Sequence, residues 1–393
     1  MELPSVKLLR RERILKEWWS EVKENFWEKD AKVHVKMLLK ELMEQTMEEE
    51  IEQIIRVEEA PYRNGYYSRT LVTQFGRIEG IQVPRLRSGW FKTSVFQRYK
   101  RYQNVVEDLI EGIFLAGVST RRVGKAVSKL LETDVSAGTV SRITRRLDAK
   151  VSLFHKRSIL DEYQYLILDG INLKIRHNLT YHNRKVLVAY GITIFGKREL
   201  IDFRQAKGES EAAWEALLRN LYERGLQGEN LKLIAMDGSA GLKAACELVY
   251  PHAKIQRCWA HKLRNVSNYC RKKYELDCVS QAARIYLAKD HAASMKEFKR
   301  WKETWQRACP NAVSCLEKDL DDLLSFHRCP KSHQIKVRTT NVIERAFREV
   351  RRRTKVFSCF SNTASSERII FAIFSHLNNN WKGKPLKQFT QFI

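Results

Sequence analysis

A chain of 393 residues in which 71 Lys and Arg face 46 Asp and Glu, a formal charge of +25, has the balance of a protein whose partner is a polyanion. With 44% hydrophobic and 10% aromatic residues it is too apolar for a disordered basic tail, and at roughly 100 to 200 residues per domain it should hold about two to four domains. No apolar run approaches the ~20 residues of a membrane span, and the charged opening KLLRRERILKEWW lacks a signal-peptide core, so the expected location is the cytoplasm.

Residues 7–57 carry no Gly or Pro and set Leu38, Leu39, Leu42, Ile51, Ile54 and Ile55 at helical spacing. This predicts one or two amphipathic helices in an N-terminal arm, residues 1–60, serving packing or dimerisation. Gly65, Gly76 and Gly80 then bound β-prone stretches at 68–75 and 78–83, which predicts a small hairpin in a basic region, residues 61–100. Arg63, Arg69, Arg77, Arg85 and Arg87 crowd so short a ribbon that contacts to a nucleic-acid backbone are favoured over a plain exposed face.

Residues 117–147 read as two helices with a turn near 132–135, the first capped by Ser119 or Thr120 and the second by Ser136. That is helix-turn-helix spacing, so residues 101–150 are expected to form a DNA-binding domain. The second helix places Ser141, Arg142, Arg145 and Arg146 on its polar side, and its three arginines are candidate DNA contacts.

From Tyr163 the texture becomes α/β. QYLILDGINLKIR, RKVLVAYGITIF and RELIDFRQA are three consecutive strand-like runs, SEAAWEALLRNLYERG is an amphipathic helix, and LKLIAMDGSAG and AKIQRC supply a fourth and a fifth strand. A three-strand meander, a helix, then another strand and helix is the order of an RNase H-like (retroviral integrase-like) core. Residues 151–265 would form its first part. Residues 266–330, with Tyr274, Tyr286, Phe298, Trp301 and Trp305 scattered along them, would be an all-α insertion, and residues 331–393 would complete the core with C-terminal helices.

Asp169 ends the apolar run YLIL and Asp237 ends LIAM, each followed by glycine. A charge abutting a buried strand is costly unless something pairs with it. Taken singly, either aspartate also suits a turn cap. In an RNase H-like sheet, however, the first and fourth strands are neighbours, and two carboxylates side by side repel unless a cation joins them. Hard oxygen ligands with open water positions suit Mg²⁺ or Mn²⁺, and two such ions about 3.5–4 Å apart activate a nucleophile and stabilise the leaving oxygen of a phosphodiester. Glu344, in the helix that would complete the core, is the candidate third ligand.

That helix, expected from Thr340, puts Ile343, Phe347, Val350 and Phe357 on a core-facing stripe and Glu344, Arg348, Arg351 and Lys355 on the adjoining one. Arg348, Arg351, Arg352 and Lys355 are candidate contacts for a DNA strand, whereas Glu349 should pair with Arg345 or Arg353. Cys258 and His261 in QRCWAHKLRNV have zinc-ligand chemistry, with Cys270 and Cys278 at wider spacing, but compact paired spacing is lacking. A place beside the carboxylates is preferred, with His261, Lys262 or Arg264 near DNA; a buried structural pair stays open. The eight cysteines lie in the second half without a CxxC pair and read as free, mostly packed thiols. A glycine-rich phosphate loop is absent, and no serine has a hydrolase context.

From about Tyr62 to Trp381, the motifs RNGYYSRT, VPRLRSGWF, GVSTRRV with SAGTVSRI, LDGINLKIR, AMDGSAGL, CWAHKLRNV and RTTNVIERAFREVRRRTKV resemble, in this order, the bacterial Mutator-type (MULE-like) insertion-sequence transposases. That is a DDE family with an RNase H-like catalytic domain. The resemblance implies that Asp169, Asp237 and Glu344 are the metal-binding catalytic triad, and that Cys258 and His261 match a C/D-x-x-H signature. It implies a Mg²⁺- or Mn²⁺-dependent enzyme, with two ions per active site, that binds the terminal inverted repeats of its element. Such an enzyme cuts double-stranded DNA there and joins the freed 3′-hydroxyl to target DNA, as a homodimer or larger synaptic complex in the bacterial cytoplasm or nucleoid. The arm before residue 60 is not settled by the resemblance. A non-catalytic DNA-binding protein and a nuclease that cuts without joining are the alternatives.

Overall fold

A computed structural model of the chain describes residues 29–57, 62–87, 91–97, 100–116, 118–177, 180–355, 360 and 362–390. It divides into two compact units, Met1–Arg146 and Leu147–Ile393. Among the described residues no helix is long and apolar enough to cross a membrane.

In the first unit, helix α1 (Lys29–Val57) packs on the antiparallel hairpin of β1 (Arg63–Thr73) and β2 (Gly76–Leu86). The buried stripe of α1 is Met43, Met47 and Ile51, and the two methionines meet Leu71, Ile78, Ile81 and Val83. The expected stripe is therefore rotated: Leu42 is 43% exposed, and the unbranched methionines fill the irregular surface of the hairpin. Residues 1–28 of the expected arm lie outside the described residues.

Folding occupies most of the hairpin arginines locally. Arg63 pairs with Glu48 (2.9 Å) and Arg77 with Glu79 (2.8 Å). Arg69 donates to the Gln97 carbonyl (3.1 Å) and covers the Phe96 ring, while Arg85 lies over Tyr67. Three helices follow, α2 (Asn104–Leu115), α3 (Thr120–Leu131) and α4 (Ala137–Thr144), of which α2 is additional to the expected pair. Glu132 adopts a left-handed conformation (φ 53°) to end α3, and the Ser136 hydroxyl accepts the Thr139 N–H (3.1 Å) to begin α4.

The second unit opens with α5 (Leu147–Lys156) and is built on a five-stranded sheet of order β5-β4-β3-β6-β7. Here β3 is Tyr163–His177, β4 Thr180–Thr193, β5 Arg198–Ala206, β6 Leu233–Met236 and β7 Lys254–Arg257. β3, β4 and β5 run antiparallel as the expected meander; β6 joins β3 in parallel, and β7 joins β6 in parallel. The first and fourth strands of the sheet are thus neighbours.

The first half of β3, residues 165–168, reads as a continuous apolar run because both of its faces are covered there, whereas Asn172 and Lys174 farther along are exposed. Leu166 and Leu168 enter a core with Trp214, Leu217 and Leu221 of α6 (Glu211–Glu223) and Leu242 and Ala245 of α7 (Ala240–Val249). On the other face the Tyr165 hydroxyl meets His333 Nδ1 (2.9 Å). After β7 the chain continues as a helical segment through α8 (Trp259–Tyr269), α9 (Lys272–Leu287), α10 (His291–Trp305), α11 (Pro310–Glu317), α12 (Leu320–Leu324) and α13 (Lys331–Val337). Phe298, Trp301 and Trp305 form part of its buried interior. The chain returns to the sheet through α14 (Asn341–Thr354) and α15 (Thr363–Trp381), the latter placing Phe374 edge-on to Phe203 of β5, and ends its described part with α16 (Lys387–Thr390).

A buried ion cluster ties the outer strand to two helices. Asp202 of β5 accepts from the Arg224 guanidinium at the end of α6 and lies 2.6 Å from His155 Nδ1 of α5, while Arg224 also donates to the Arg157 carbonyl (2.8 Å). Removing the carboxylate leaves a guanidinium buried without its counter-charge. Asp202→Ala is expected to cost about 3–5 kcal/mol in urea unfolding, and a cost under about 1 kcal/mol would show that the cluster is dispensable.

Candidate active site

The two aspartates owe their positions to register. β3 pairs with β6 as Tyr165↔Leu233, Leu166↔Ile234 and Ile167↔Ala235. Continued by two residues, that parallel register sets Asp169 abreast of Asp237, because both apolar runs end at the same level. Asp169 is buried and its carboxylate accepts the Gly170 N–H (2.8 Å); the Asp237 carboxylate accepts the Ser239 N–H (3.0 Å) just ahead of α7. Gly238 turns the chain there with φ 96°, and a side chain at this position would collide with the Arg257 guanidinium. Arg257 is itself committed to Asp319 (2.5 Å).

Burial, joined by the negative charge of Asp237, pushes the Asp169 carboxyl up to about 6, against the lowering influence of the Gly170 N–H, His261 and Thr340. Among the described residues neither aspartate forms an ion pair with Lys or Arg. As a donor set, two adjacent carboxylates fit a hard divalent cation, which takes one or two protein carboxylates and keeps several waters.

Cys258, at the start of α8, accepts the Thr340 N–H on its Sγ (3.2 Å), and the Thr340 hydroxyl lies 3.5 Å from both Cys258 Sγ and His261 Nδ1. Its hydrogen bond to Cys258 raises His261 to about 9, outweighing burial, with the charges of Cys258, Asp169 and Asp237 adding to the rise. Burial raises the Cys258 thiol, yet the hydrogen bonds from His261 and Thr340 prevail and hold it below its ordinary value. Cys270 and Cys278 stand with Cys309 rather than with this pair. The seven described cysteines are free thiols, and Cys359 lies outside the described residues.

Glu344 is half-buried in the first turn of α14, its N–H on the Thr340 carbonyl (3.2 Å), and among the described residues no Lys or Arg is paired with it. Among those residues no three His, Cys, Asp or Glu side chains form a set able to hold one ion. The structure therefore gathers Asp169, Asp237, Cys258, His261 and Thr340, and sets Glu344 one helical turn beyond Thr340. Thr340 is the member that sequence reasoning missed. It stands out there only as a helix start, and its partners are far away in the chain.

The basic candidates separate into free and engaged. Arg348, Arg351 and Lys355 are exposed, with Ile343, Phe347 and Val350 buried on the neighbouring stripe; Phe357 lies outside the described residues. Glu349 pairs with Arg353 (3.0 Å), as expected, and with Arg352 (2.6 Å) in place of Arg345, which engages one of the candidate DNA contacts. Lys262 corrects its expected role: it is 2% exposed and ion-paired with Asp319, so it faces the interior rather than DNA. Arg264, Arg142 and Arg145 are exposed, while Arg146 is paired with Glu107 (2.7 Å) and Asp108 (3.4 Å).

The family model described as Transposase, Mutator family, matches residues 15–384. The chain is 35% identical over 324 residues to the transposase for insertion sequence element ISRM5 of Rhizobium meliloti (strain 1021), covering 82% of this chain and 81% of that one. It is 33% identical over 322 residues to the transposase for IS256 in transposon Tn4001 of Staphylococcus aureus, covering 81% and 82%. Similarity to the transposase for IS1081 of Mycobacterium tuberculosis runs to 31% over 326 residues, covering 82% and 78%.

The elevated Asp169 carboxyl carries a pH signature. A group that binds its proton more tightly when folded contributes stability that is fully present below its ordinary 3.8 and is lost as pH rises through about 6. Without divalent ions, the loss is on the order of 2–3 kcal/mol. Asp169→Asn removes the group, so in EDTA the variant should exceed the wild type in denaturant stability at about pH 7 and match it near pH 4. Equal stabilities at both pH values would contradict this environment for Asp169.

Proposed function

This chain belongs to the Mutator family of transposases, and from that membership we propose that it cuts and joins DNA with Asp169, Asp237 and Glu344 as its catalytic acids. The observation that carries the reading is the β3–β6 register, which sets two carboxylates that no Lys or Arg pairs among the described residues abreast, Asp169 midway along β3 and Asp237 just past the end of β6. We read the sheet order, with its meander of three strands and its fourth strand parallel to the first, as an RNase H-like core. The helical residues 266–330 are then the insertion that interrupts it. The α3–α4 pair is read as a helix-turn-helix for the terminal inverted repeats of the element, with Arg142 and Arg145 turned to solvent.

Asp169 and Asp237 would hold Mg²⁺ or Mn²⁺, with Glu344 as the third acid, and bound ions would supply activation of the attacking oxygen and stabilisation of the leaving one. The chain's own residues do the rest. Asp169 and Asp237 bring their charge to one point through strand register, and the Thr340 hydroxyl helps keep Asp169 ionised. Arg348, Arg351 and Lys355 extend from the turn of Glu344 as a cationic track for the phosphates of a strand, about 16 Å long at 1.5 Å per residue. Arg352 reaches a phosphate only by giving up Glu349.

In the first step water attacks the phosphodiester at an element end, the bond from phosphorus to the 3′ oxygen breaks, and a 3′-hydroxyl is released. In the second, that hydroxyl attacks a phosphodiester of target DNA, one bond forming as another breaks, with no external energy source. Joining two ends to one target calls for a dimer or larger assembly of this chain on DNA.

With DNA carrying the inverted repeats that flank the gene, the wild type is expected to nick in Mg²⁺ or Mn²⁺. Asp169→Asn, Asp237→Asn and Glu344→Gln should each slow nicking about a hundredfold or more while leaving end binding within about threefold. Wild-type nicking by any of the three removes that residue from the catalytic set. Arg348→Ala and Arg351→Ala should each reduce the slope of log affinity against log salt by about 1, and an unchanged slope would take the residue off the DNA track.

A further inference from the structure

We infer that Cys258 is a positioning residue: a buried pin that fixes the helix bearing Glu344 to the strand end bearing Asp237. The inference rests on the reading of those two acids as catalytic, and it concerns how they are held. The Cys258 N–H donates to the Met236 carbonyl (2.7 Å), one residue before Asp237. The Cys258 Sγ accepts the N–H of Thr340 (3.2 Å), four residues before Glu344, with the Thr340 hydroxyl at 3.5 Å. One residue therefore bonds both segments, through its backbone on one side and its side chain on the other.

Adjacent bonds keep this pin from swivelling. The Trp259 N–H donates to the Arg338 carbonyl (3.1 Å), and the Trp259 indole N–H donates to the Leu323 carbonyl (2.7 Å). Cys258 and Thr340 are both fully buried, so a Thr340 N–H deprived of the sulfur would have no water to turn to. Thr340 gives no side-chain cap to its own helix. The start of α14 is thus fixed from outside, and the 14-residue helix carries any displacement at Thr340 to Glu344 one turn along.

The test uses the full chain with Cys258→Val, which fills the space without an accepting atom, and Cys258→Ser, which keeps one; Cys258→Ala replaces valine if that variant does not fold. Amide hydrogen exchange over residues 338–344 and single-turnover cleavage of element-end DNA are both measured. The valine variant should exchange the Thr340 amide roughly tenfold faster. Its cleavage rate constant should fall about a hundredfold at an unchanged half-saturating DNA concentration, and serine should recover most of both. Wild-type exchange at Thr340 in the valine variant overturns the pin. Faster exchange with wild-type cleavage overturns its positioning role, as does equal loss of cleavage in the serine and valine variants. If the wild-type chain cuts no DNA with any divalent metal, the catalytic reading has failed instead, and the exchange rates still decide whether Cys258 holds Thr340.

Discussion

The second unit is organised around a parallel pairing of two strands whose apolar runs end at the same level, each in an aspartate. Register leaves no alternative: a shift of β6 by one residue would turn its side chains to the opposite face and carry Asp237 away from Asp169. The pairing costs electrostatic energy, since burial and the neighbouring charge both disfavour ionised Asp169. Among the described residues no lysine or arginine is ion-paired with either aspartate to relieve that cost. The guanidinium of Arg257, which lies against Gly238, is paired with Asp319, and Lys262 is drawn to the same carboxylate. The positive charge that does face the two carboxylates is that of His261, which Asp169 and Asp237 help to hold protonated.

The set of 71 Lys and Arg side chains serves in more than one way. Part of it holds the fold together: Arg224 on Asp202, Arg146 on Glu107, Lys262 and Arg257 on Asp319, and Arg352 and Arg353 on Glu349. Others are exposed, and among these Arg348, Arg351 and Lys355 lie along one stripe that begins at Glu344. A polyanion meeting this protein is met by the second group. The same helix carries both kinds of arginine, separated by which side of α14 they occupy.

Much of the sheet was legible in the sequence because its signals are local. YLILDG and LIAMDG announce buried apolar runs that end at an acid, although only the second strand stops there while β3 continues to His177, and the meander follows from apolar runs separated by short polar breaks. The side of α1 that is buried was harder to read, because Met43 and Met47 do the packing while leucines and isoleucines attract attention. The fate of single cations was illegible for a different reason. Lys262 meets an aspartate 57 residues away and Thr340 meets a cysteine 82 residues away, and no periodicity encodes such pairs. Position along a helix distinguishes a buried face from an exposed one; it does not name the partner waiting there.

The central claim is that Asp169 and Asp237 together receive a divalent cation, and Mn²⁺ binding followed by electron paramagnetic resonance tests it most directly. In the presence of element-end DNA at neutral pH, the wild type should bind Mn²⁺ saturably, and the double variant Asp169→Asn, Asp237→Asn should lose that binding while still holding the DNA. Equal Mn²⁺ binding by the two proteins would contradict the account.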